Sequence, residues 1–474
     1  MGTMLDRVRP LSLWGSLWDA VQSLRPAFSN ATTFMWFATV VAGMIVRVDL
    51  LGVTSIVRAL NLRPELYHAL LRLFHSTAVK LDRLTALWAH TVLQLFPSPV
   101  RVNGRLVLVG DGVKIPKRGK KMPAVKLLHQ QSESNTKPEY IMGHSLQAVS
   151  LLVHAAHSVF AVPLAARIHE GLVWSNRDKR TLLDTLLQTV SIETSFYFVA
   201  DAYYAAGKVV KGLLKQGHHL LSRVKSNAVA YQPAEPPRAK RKRGAPRRYG
   251  KKIKVKSLLE DPQTMHEALS PVYGEDKVML RYRVCDLLWR PAGELVRFVA
   301  VIHPTRGPLL LMCTDLSLGA IDIIRLYGLR FKIEHSFKQA IRLIGSFAYH
   351  FWMKGMVPLR RRNGNQYLHR QSSSYRDQVK RKVSAYHVFI QAAVVAQGLL
   401  QYLAVVAPKL VWASFGSWLR TIRPGIPPSE LVVAQALRQT LPDFLLVSCK
   451  VCALAKFIAD RQDTQNMRIF RMSA

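Results

Sequence analysis

Apolar residues recur every three or four positions through the first hundred residues of the chain. The repeat is clearest at Leu66, Leu70, Leu73 and Phe74. This spacing predicts amphipathic helices, because it places the apolar side chains on one helical face. Gly52 and a turn at 62–64 separate two short helical segments, 54–60 and 65–75. A DNA-docking helix–turn–helix and an ordinary helical bundle fit this spacing equally well.

From about residue 105 the pattern changes to short continuous apolar runs, which are typical of buried strands. Residues 106–109 end in the sequence GDG around Asp111 and predict a strand followed by a sharp turn. Residues 196–200 predict a second buried strand, which ends at Asp201. Further strands are predicted within 138–168 and at 219–224, with helices over 177–189 and 203–215. Strands that alternate with helices in this way predict an α/β core.

A basic segment and a β-rich segment interrupt this core. Residues 231–256 begin with three prolines at 233, 236 and 237 and contain eleven Lys or Arg residues and one acid, Glu235. Such a charge run is usually a solvated tail, but within a domain it indicates phosphate binding. Residues 277–303 then alternate like two strands around a hairpin-like Pro-Ala-Gly. A strand over 308–314, a long helix over 317–347 and a helical region from about 380 are predicted to follow.

The charge balance of the 474-residue chain predicts a polyanionic partner. Lys and Arg number 67 against 29 Asp and Glu, which gives a net charge of +38, and 49% of the residues are hydrophobic. Most enzymes of small-molecule metabolism do not carry such a charge, and nucleic acid is a better partner than an acidic membrane surface. The longest apolar run, 34–46, is shorter than the roughly 20 residues that a membrane span needs. We see no nucleotide-binding phosphate loop, so no nucleotide cofactor is expected.

The few acidic residues indicate where chemistry takes place. Asp111 and Asp201 each follow a predicted buried strand. Two carboxylates on neighbouring strands would repel each other, which favours a bound cation, and oxygen ligands suit Mg²⁺ or Mn²⁺. The sequence therefore predicts a metal site at one edge of the sheet.

A third carboxylate is predicted on the long helix. One helical face carries Tyr327, Arg330, Glu334 and Lys338, spaced three, four and four residues apart. Glu334 can complete a three-carboxylate site, with Arg330 and Lys338 beside it to hold phosphates. Such a site can hold two metal ions, one that activates water or a 3′-hydroxyl and one that stabilises the leaving oxygen. A surface ion-pair ladder is the alternative interpretation of these helical residues.

Taken together, these motifs resemble those of insertion-sequence DDE transposases, specifically the bacterial cut-and-paste subgroup with a β-strand insertion in an RNase H-like catalytic domain. The matching motifs are VGDG around Asp111, FVADAYY around Asp201, and YxxRxxxE from Tyr327 to Glu334. The resemblance covers most of the chain and is strongest from about 105 to 360. The family's helix signature continues to a lysine seven residues after the glutamate, where this chain has Ile341. Lys338 and Arg342 are the nearest cations, and Lys338 lies on the correct face.

The resemblance implies an α/β fold with an RNase H-like catalytic core and a β-rich insertion, flanked by N- and C-terminal helical regions. The implied domains are a helical DNA-end-binding region at 1–100, the first part of the core at 101–230, the basic linker and insertion at 231–307, and the second part of the core at 308–370. A helical region at 371–474, a candidate for dimerisation, follows.

The implied function is a transposase that binds the terminal inverted repeats of a mobile element, cleaves the DNA by two-metal hydrolysis and joins the 3′ ends to target DNA. Asp111, Asp201 and Glu334 would be the catalytic residues and would bind Mg²⁺ or Mn²⁺, two ions in each active site. Double-stranded DNA and a second copy of the chain are the expected partners, in the bacterial cytoplasm with the nucleoid. A catalytically silent DNA-binding relic and a metal-dependent nuclease without strand transfer remain alternatives.

DNA contacts are expected from the helix signature, from cations near the cut and from the basic linker. These residues are Tyr327, Arg330, Lys338, Arg342, Arg223, Lys225, Lys117, Lys121, Arg241, Arg243, Arg247 and Arg248. Trp289 near the tip of the hairpin is a candidate for stacking on a base flipped from the element end. An ordinary aromatic residue of the sheet core is the alternative for Trp289.

Overall fold

The structure is a computed structural model that describes residues 12–50, 52–130, 138–175, 187, 192–235, 247–260, 262–272, 274–360, 362–416, 422–423 and 425–463. Its helices are α1 (Leu13–Gln22), α2 (Ala31–Val46), α3 (Thr54–Ala59), α4 (Tyr67–His75), α5 (Leu81–Leu95), α6 (Gly207–Lys215), α7 (Ala320–Leu329), α8 (Lys332–Gln339), α9 (Ser373–Val406), α10 (Pro408–Phe415), α11 (Glu430–Val447) and α12 (Ala453–Ala459).

The strands are β1 (Arg101–Val102), β2 (Arg105–Pro116), β3 (Lys126–His129), β4 (Tyr140–Ala155), β5 (Ser158–Ile168), β6 (Leu172–Val173), β7 (Phe196–Ala200), β8 (His219–Arg223), β9 (Val229–Pro233), β10 (Tyr249–Lys254), β11 (His266–Leu269), β12 (Met279–Trp289), β13 (Glu294–His303), β14 (Gly307–Cys313) and β15 (Gln366–Tyr367).

Most strands form one large mixed sheet in the order β10-β9-β12-β13-β14-β8-β7-β2-β4-β3, with β5 paired to β4. Strands β2, β7 and β8 run parallel, and antiparallel strands flank them on both sides. The predicted hairpin, β12 and β13, joins this sheet through β14. The prediction of a mixed α/β fold with helical regions at both ends is confirmed, and the architecture is consistent with an RNase H-like core.

The helices of both chain ends pack on the same sheet and share its core. The fully buried Trp88 of α5 donates its indole N–H to the Pro163 carbonyl of β5 at 2.9 Å. Gly398 of α9 lies against this indole ring, where an added Cβ would approach the ring carbon Cζ2 to 2.3 Å. Trp88 thus ties an N-terminal helix to the sheet and to a C-terminal helix. The domain boundaries given above stay a prediction.

Helix α9 is the one helix in the described ranges that is long and apolar enough to cross a membrane. Within the protein, 89% of its 18-residue apolar stretch is buried. Its three buried glutamines bond to neighbouring elements. Gln391 donates to the Leu164 carbonyl at 3.0 Å, and Gln401 donates to Glu430 at 3.0 Å. Such pairing of buried amides is what a core helix of a folded domain requires.

Two predicted elements differ from the structure. No turn follows residue 109, because β2 runs through the GDG sequence to Pro116 and pairs with β4 over that length. The long helix predicted over 317–347 is instead two helices, α7 and α8, followed by a π-helical turn at Ala340–Ile344. The predicted helix over 177–189 falls almost entirely outside the described residues.

Candidate active site

Two acidic side chains lie where a pair of adjacent parallel strands separates. Strand β2 pairs with β7, and the last pair of the register joins Gly110 to Ala200. The next residue along each strand is a carboxylate, Asp111 within β2 and Asp201 directly after β7. The parallel pairing therefore brings together the two acids that the sequence placed at strand ends.

The third predicted carboxylate is linked to Asp111 through an arginine. Nη1 of Arg330 donates to Oδ2 of Asp111 at 2.7 Å, and Nη2 donates to Oε1 of Glu334 at 3.0 Å. Oδ1 of Asp111 accepts the backbone N–H of the following residue at 2.7 Å, and Oδ1 of Asp201 does the same at 2.6 Å. Three carboxylates and one guanidinium thus form a single electrostatic cluster.

The pKa values show how strongly these groups influence one another. Burial raises the pKa of the Asp111 carboxyl, Arg330 lowers it, and the carboxylates of Glu334 and Asp201 raise it again. For Arg330, burial opposes the charge, but Asp111 and the other acids bring its pKa above the ordinary value. Positive charge is therefore favoured at this position, because it compensates anions that are partly removed from water.

Arg330 lies at the joint between α7 and α8. The joint is tight, because its N–H groups bond to carbonyls three residues earlier, Arg330 to Tyr327 at 3.1 Å and Glu334 to Phe331 at 3.0 Å. The Arg330 guanidinium carbon lies 5.8 Å from the centre of the Tyr327 ring. Although the single predicted helix is wrong, the structure brings Tyr327, Arg330 and Glu334 together as their spacing indicated.

The donor set fits a divalent metal in its chemistry. Asp111, Asp201 and Glu334 offer carboxylate oxygens, the ligands that Mg²⁺ and Mn²⁺ prefer. Within the described part of the chain, no three His, Cys, Asp or Glu side chains are grouped closely enough to hold a metal ion. Arg330 bridges two of the three acids instead, so metal binding would require its guanidinium to move.

The family described as DDE superfamily endonuclease matches residues 23–290, more than half of the chain and a stretch that contains Asp111 and Asp201. The chain belongs to the DDE superfamily of endonucleases. Members of this superfamily generally use divalent metals, in agreement with the carboxylate donors described above. Glu334 lies beyond the matched residues, so its assignment to the site is supported by the geometry alone.

Among solved structures, the chain is similar to one described as the cryo-EM structure of piggyBac transposase synaptic complex with hairpin DNA. The two are 10% identical in sequence, the similarity covers 94% of this chain and 80% of that chain, and the TM-score is 0.38. A similarity at this level carries no weight for the function. No curated protein matches the chain by sequence.

The protein has a cleft of about 260 Å³ that is lined by Arg330, the hydrogen-bond partner of Asp111 and Glu334. Arg223, at the end of β8, lines this cleft together with Tyr327 and Arg330. Arg306 and His303 complete the polar part of the wall. The predicted contact residues Arg223, Tyr327 and Arg330 therefore line one cleft, and its arginines can attract an anionic group although most of the wall is apolar.

A second cleft, of about 340 Å³, contains two more of the predicted DNA contacts. Lys225 is exposed on its wall, and Trp289 at the end of β12 also lines it. Only 6% of the surface of Trp289 is exposed, and the residue belongs to the hydrophobic core. Trp289 is thus placed as the alternative interpretation predicted, as an aromatic residue of the sheet core. One edge of the residue lies at a cleft.

Lys117 is buried, although we predicted it as a DNA contact. Its ammonium group donates to the backbone carbonyls of Phe347 and, at 3.3 Å, Tyr349, and it lies 5.1 Å from the centre of the Tyr386 ring. Burial lowers the pKa of Lys117 to about 8. In this position Lys117 holds the segment after α8 against β2, and we do not propose it as a DNA contact.

The pKa of Lys117 leads to a prediction about stability and pH. The folded-state pKa of about 8 lies below the unfolded value of 10.5, so the unfolded chain retains the proton to higher pH and stability is gained as pH rises from 8 to 10.5. Relative to Lys117→Met, the wild type should gain about 2 kcal/mol of unfolding free energy between about pH 7 and pH 9.5. Urea denaturation at both pH values measures this difference.

The matched control for this experiment is Lys120→Met, which removes an exposed lysine from the same loop. No buried charge is lost there, so the difference from wild type should stay constant across the same pH interval. A Lys117→Met difference that also stays constant would contradict the assignment of a buried, easily neutralised ammonium group.

The remaining predicted DNA contacts are dispersed. Lys338 and Arg342 are exposed beyond Glu334. Lys121 donates to the Lys354 carbonyl at 3.2 Å, and Arg248 bonds to the Gly293 carbonyl at the tip of the β12–β13 hairpin. The exposed Arg247 bonds to the Tyr249 carbonyl at 3.1 Å. Arg241 and Arg243 lie outside the described residues.

Sequence reasoning missed one residue of the site and misjudged a neighbouring acid. Tyr204, three residues after Asp201, is buried, and burial together with the Asp111 charge raises its pKa. The aromatic run after Asp201 was the available signal. Asp315, which follows β14, accepts the N–H of Ser317 at 2.9 Å and the hydroxyl of Tyr197 at 2.6 Å, and it does not cap α7, which begins only at residue 320.

Proposed function

We propose that this DDE endonuclease is a cut-and-paste DNA transposase of the insertion-sequence type. It binds the terminal inverted repeats of its element, cleaves the DNA there and joins the 3′ ends to target DNA. The observation that carries the proposal is the placement of Asp111 and Asp201 on neighbouring parallel strands, with Glu334 linked to Asp111 through Arg330.

In this proposal Asp111, Asp201 and Glu334 hold two Mg²⁺ or Mn²⁺ ions. When bound, such ions activate water or a 3′-hydroxyl and stabilise the leaving oxygen of an in-line displacement. The protein contributes position: the β2–β7 pairing fixes two carboxylates in place before DNA arrives. Arg223 and Arg330, which line one cleft, can bind phosphate oxygens next to the cut.

DNA binding in the proposal is supported by a basic face formed by two loops. Its exposed cations are Arg118, Lys120, Lys354, Arg360, Arg362 and Arg370. The loop after β2 carries the first two, and it is held to the other loop by backbone bonds from Met353 to Lys121 at 3.0 Å and from Leu359 to Lys120 at 2.7 Å. From residue 352 to residue 382 the chain has one acid, Asp377. Such a face binds phosphates without regard to sequence.

Removing charge from the basic face should weaken DNA binding and its dependence on salt. For Arg360→Ala, Arg362→Ala and Arg370→Ala combined, the slope of log K against log salt should become shallower by up to about 2.7, since each phosphate contact contributes about 0.9. Fluorescence anisotropy on duplex DNA over a salt series measures this slope. The control combines Lys409→Ala, Lys450→Ala and Lys456→Ala, three exposed lysines of the C-terminal helices. Equal slopes for both triple variants would exclude the basic face as a DNA-binding surface.

A product analysis tests the transposase proposal against its alternatives. The protein is incubated with Mg²⁺, labelled DNA that carries the inverted repeats flanking its gene, and an unlabelled target plasmid. The proposal predicts both cut ends and labelled 3′ ends joined to the plasmid. Cut ends without joined products would indicate a nuclease, and bound but uncut ends would indicate a DNA-binding relic.

Concerted cutting of two ends calls for at least two copies of the chain, and we place that contact in the C-terminal helices. Light scattering on the protein with and without element ends should show at least a dimer on DNA. A single copy on paired ends that are both cut would refute this part of the proposal.

A further inference from the structure

We infer that Arg330 occupies the place of a metal cation in the DNA-free protein, and that DNA loads the metal site by drawing Arg330 away from Asp111. The inference rests on the proposed function, because it takes the three carboxylates to be the metal ligands. It adds a regulatory role for Arg330: metal binding and DNA binding become two linked events.

The contacts of Arg330 are those expected of an internal counter-ion. Its guanidinium donates to Asp111 at 2.7 Å and to Glu334 at 3.0 Å, so one cation bridges two of the proposed ligands. The Arg330 side chain is 17% exposed and that of Asp111 is 21% exposed, so this pair lies largely out of water. The Glu334 side chain, by contrast, is 52% exposed. The Arg330–Asp111 contact is therefore the stronger of the two, because it is less screened by solvent.

A metal ion and Arg330 compete for the same oxygen atoms. Oδ1 of Asp111 accepts a backbone N–H and Oδ2 accepts the guanidinium, so both oxygens of this ligand are engaged. A divalent ion needs at least one of their lone pairs, and a guanidinium next to it would add repulsion between two cations. Each oxygen keeps a second lone pair, but repulsion between the two cations disfavours metal binding to the DNA-free protein as long as Arg330 holds Asp111.

An incoming phosphate offers Arg330 a second anionic partner. Arg330 lines the 260 Å³ cleft together with Arg223 and Arg306, so three arginines border this otherwise largely apolar cleft. One of these arginines, Arg306, already forms an ion pair with Glu275 at 2.7 Å. A DNA phosphate in this cleft can accept two hydrogen bonds from the planar guanidinium of Arg330, much as a carboxylate does. The exchange frees Asp111 for the metal.

Thermodynamic linkage makes this coupling reciprocal and measurable. If DNA raises the affinity for metal by some factor, metal raises the affinity for DNA by the same factor. We expect about a tenfold effect, which lies within the range of about 5–150-fold that is typical of coupled sites. Removing the guanidinium should raise the metal affinity of the free protein by a similar factor. DNA should then cause little further increase in the metal affinity of this variant.

The experiment titrates Mn²⁺ into the full-length protein and follows free Mn²⁺ by electron paramagnetic resonance, without DNA and with a short random duplex. Wild type should bind Mn²⁺ about tenfold more tightly with the duplex, and Arg330→Gln should bind tightly in both conditions. The control is Arg325→Gln, which breaks an exposed pair with Asp322 on the same helix and should behave like wild type. Thermal unfolding verifies that each variant is folded, and Arg330→Met, which also removes the charge, replaces Arg330→Gln if the latter is not.

Asp111→Asn separates failure of this inference from failure of the proposed function. If Asp111→Asn abolishes tight Mn²⁺ binding but wild type and Arg330→Gln bind Mn²⁺ equally with and without the duplex, the carboxylates bind metal and Arg330 does not compete. That result overturns the inference alone. If Asp111→Asn binds Mn²⁺ as wild type does, the carboxylates are not the metal site, and the proposed function fails together with the inference.

Discussion

Replacing Asp111 with asparagine is expected to lower the rate of DNA cleavage by about 10³-fold or more. The substitution keeps the shape of the side chain but removes the charge that a metal ion needs, and such an ion stabilises a transition state by several kcal/mol. The amide also leaves the largely buried Arg330 without its anionic partner, so we expect some loss of stability, and thermal unfolding must show that Asp111→Asn is folded under the assay conditions. Single-turnover cleavage of labelled element ends gives the cleavage rates of wild type and Asp111→Asn. Duplex binding is measured in parallel for both proteins.

The control for this prediction is Asp286→Asn. Asp286 also pairs with an arginine, Arg297, at 2.8 Å, and its side chain is 33% exposed, but it lies in the β12–β13 hairpin. Losing that ion pair should leave the cleavage rate within a few-fold of wild type. Cleavage by Asp111→Asn at the rate of the control would show that Asp111 does not belong to the catalytic centre.

Gly110→Val is expected to destabilise the protein by about 3 kcal/mol, through overpacking rather than through backbone strain. A Cβ atom at Gly110 would lie 2.1 Å from Cζ of the buried Phe198 in the paired strand β7, so the ring or the strand would have to move. The two carboxylates follow directly on these strands, so the variant should also lose cleavage activity. Urea denaturation measures the loss of unfolding free energy.

Two further variants show whether the Phe198 ring is the cause. Gly112→Ala changes the other glycine of the GDG sequence, where an added Cβ meets only the Leu146 carbonyl oxygen at 3.6 Å, and should cost little. In the double variant of Gly110→Val and Phe198→Ala, the loss should be smaller than the sum of the two single losses, because the clash is absent. Strictly additive losses would contradict this explanation.

These glycines also show what the sequence could predict and what it could not. The buried strand at 196–200 was predicted with its exact bounds, because a continuous apolar run between polar segments has few other solutions. The GDG sequence suggested a turn, since glycine often marks one. In the structure Gly110 instead makes room for an aromatic ring on the neighbouring strand, which depends on a contact between distant parts of the chain.

The sequence predicted the spacing of the helical site residues, but it did not lead us to predict the break between α7 and α8. Arg330 bonds to Asp111, and Tyr327 and Glu334 both contact Arg330, as a period of about 3.6 residues requires. The break between α7 and α8 was not predicted, although Gly328 stands two residues before Arg330 and glycine weakens a helix. The burial of Lys117 could not be predicted from the sequence either, because it depends on carbonyls more than two hundred residues away along the chain.

The most direct test of the central claim compares wild type with Glu334→Gln on labelled element ends in Mg²⁺. Glutamine preserves the shape of the side chain and removes the charge of the one proposed ligand that rests on geometry alone. We predict that wild type cuts and joins the ends, whereas Glu334→Gln binds them and does neither. A Glu334→Gln protein that still cuts the ends would contradict the claim that Asp111, Asp201 and Glu334 form one catalytic site.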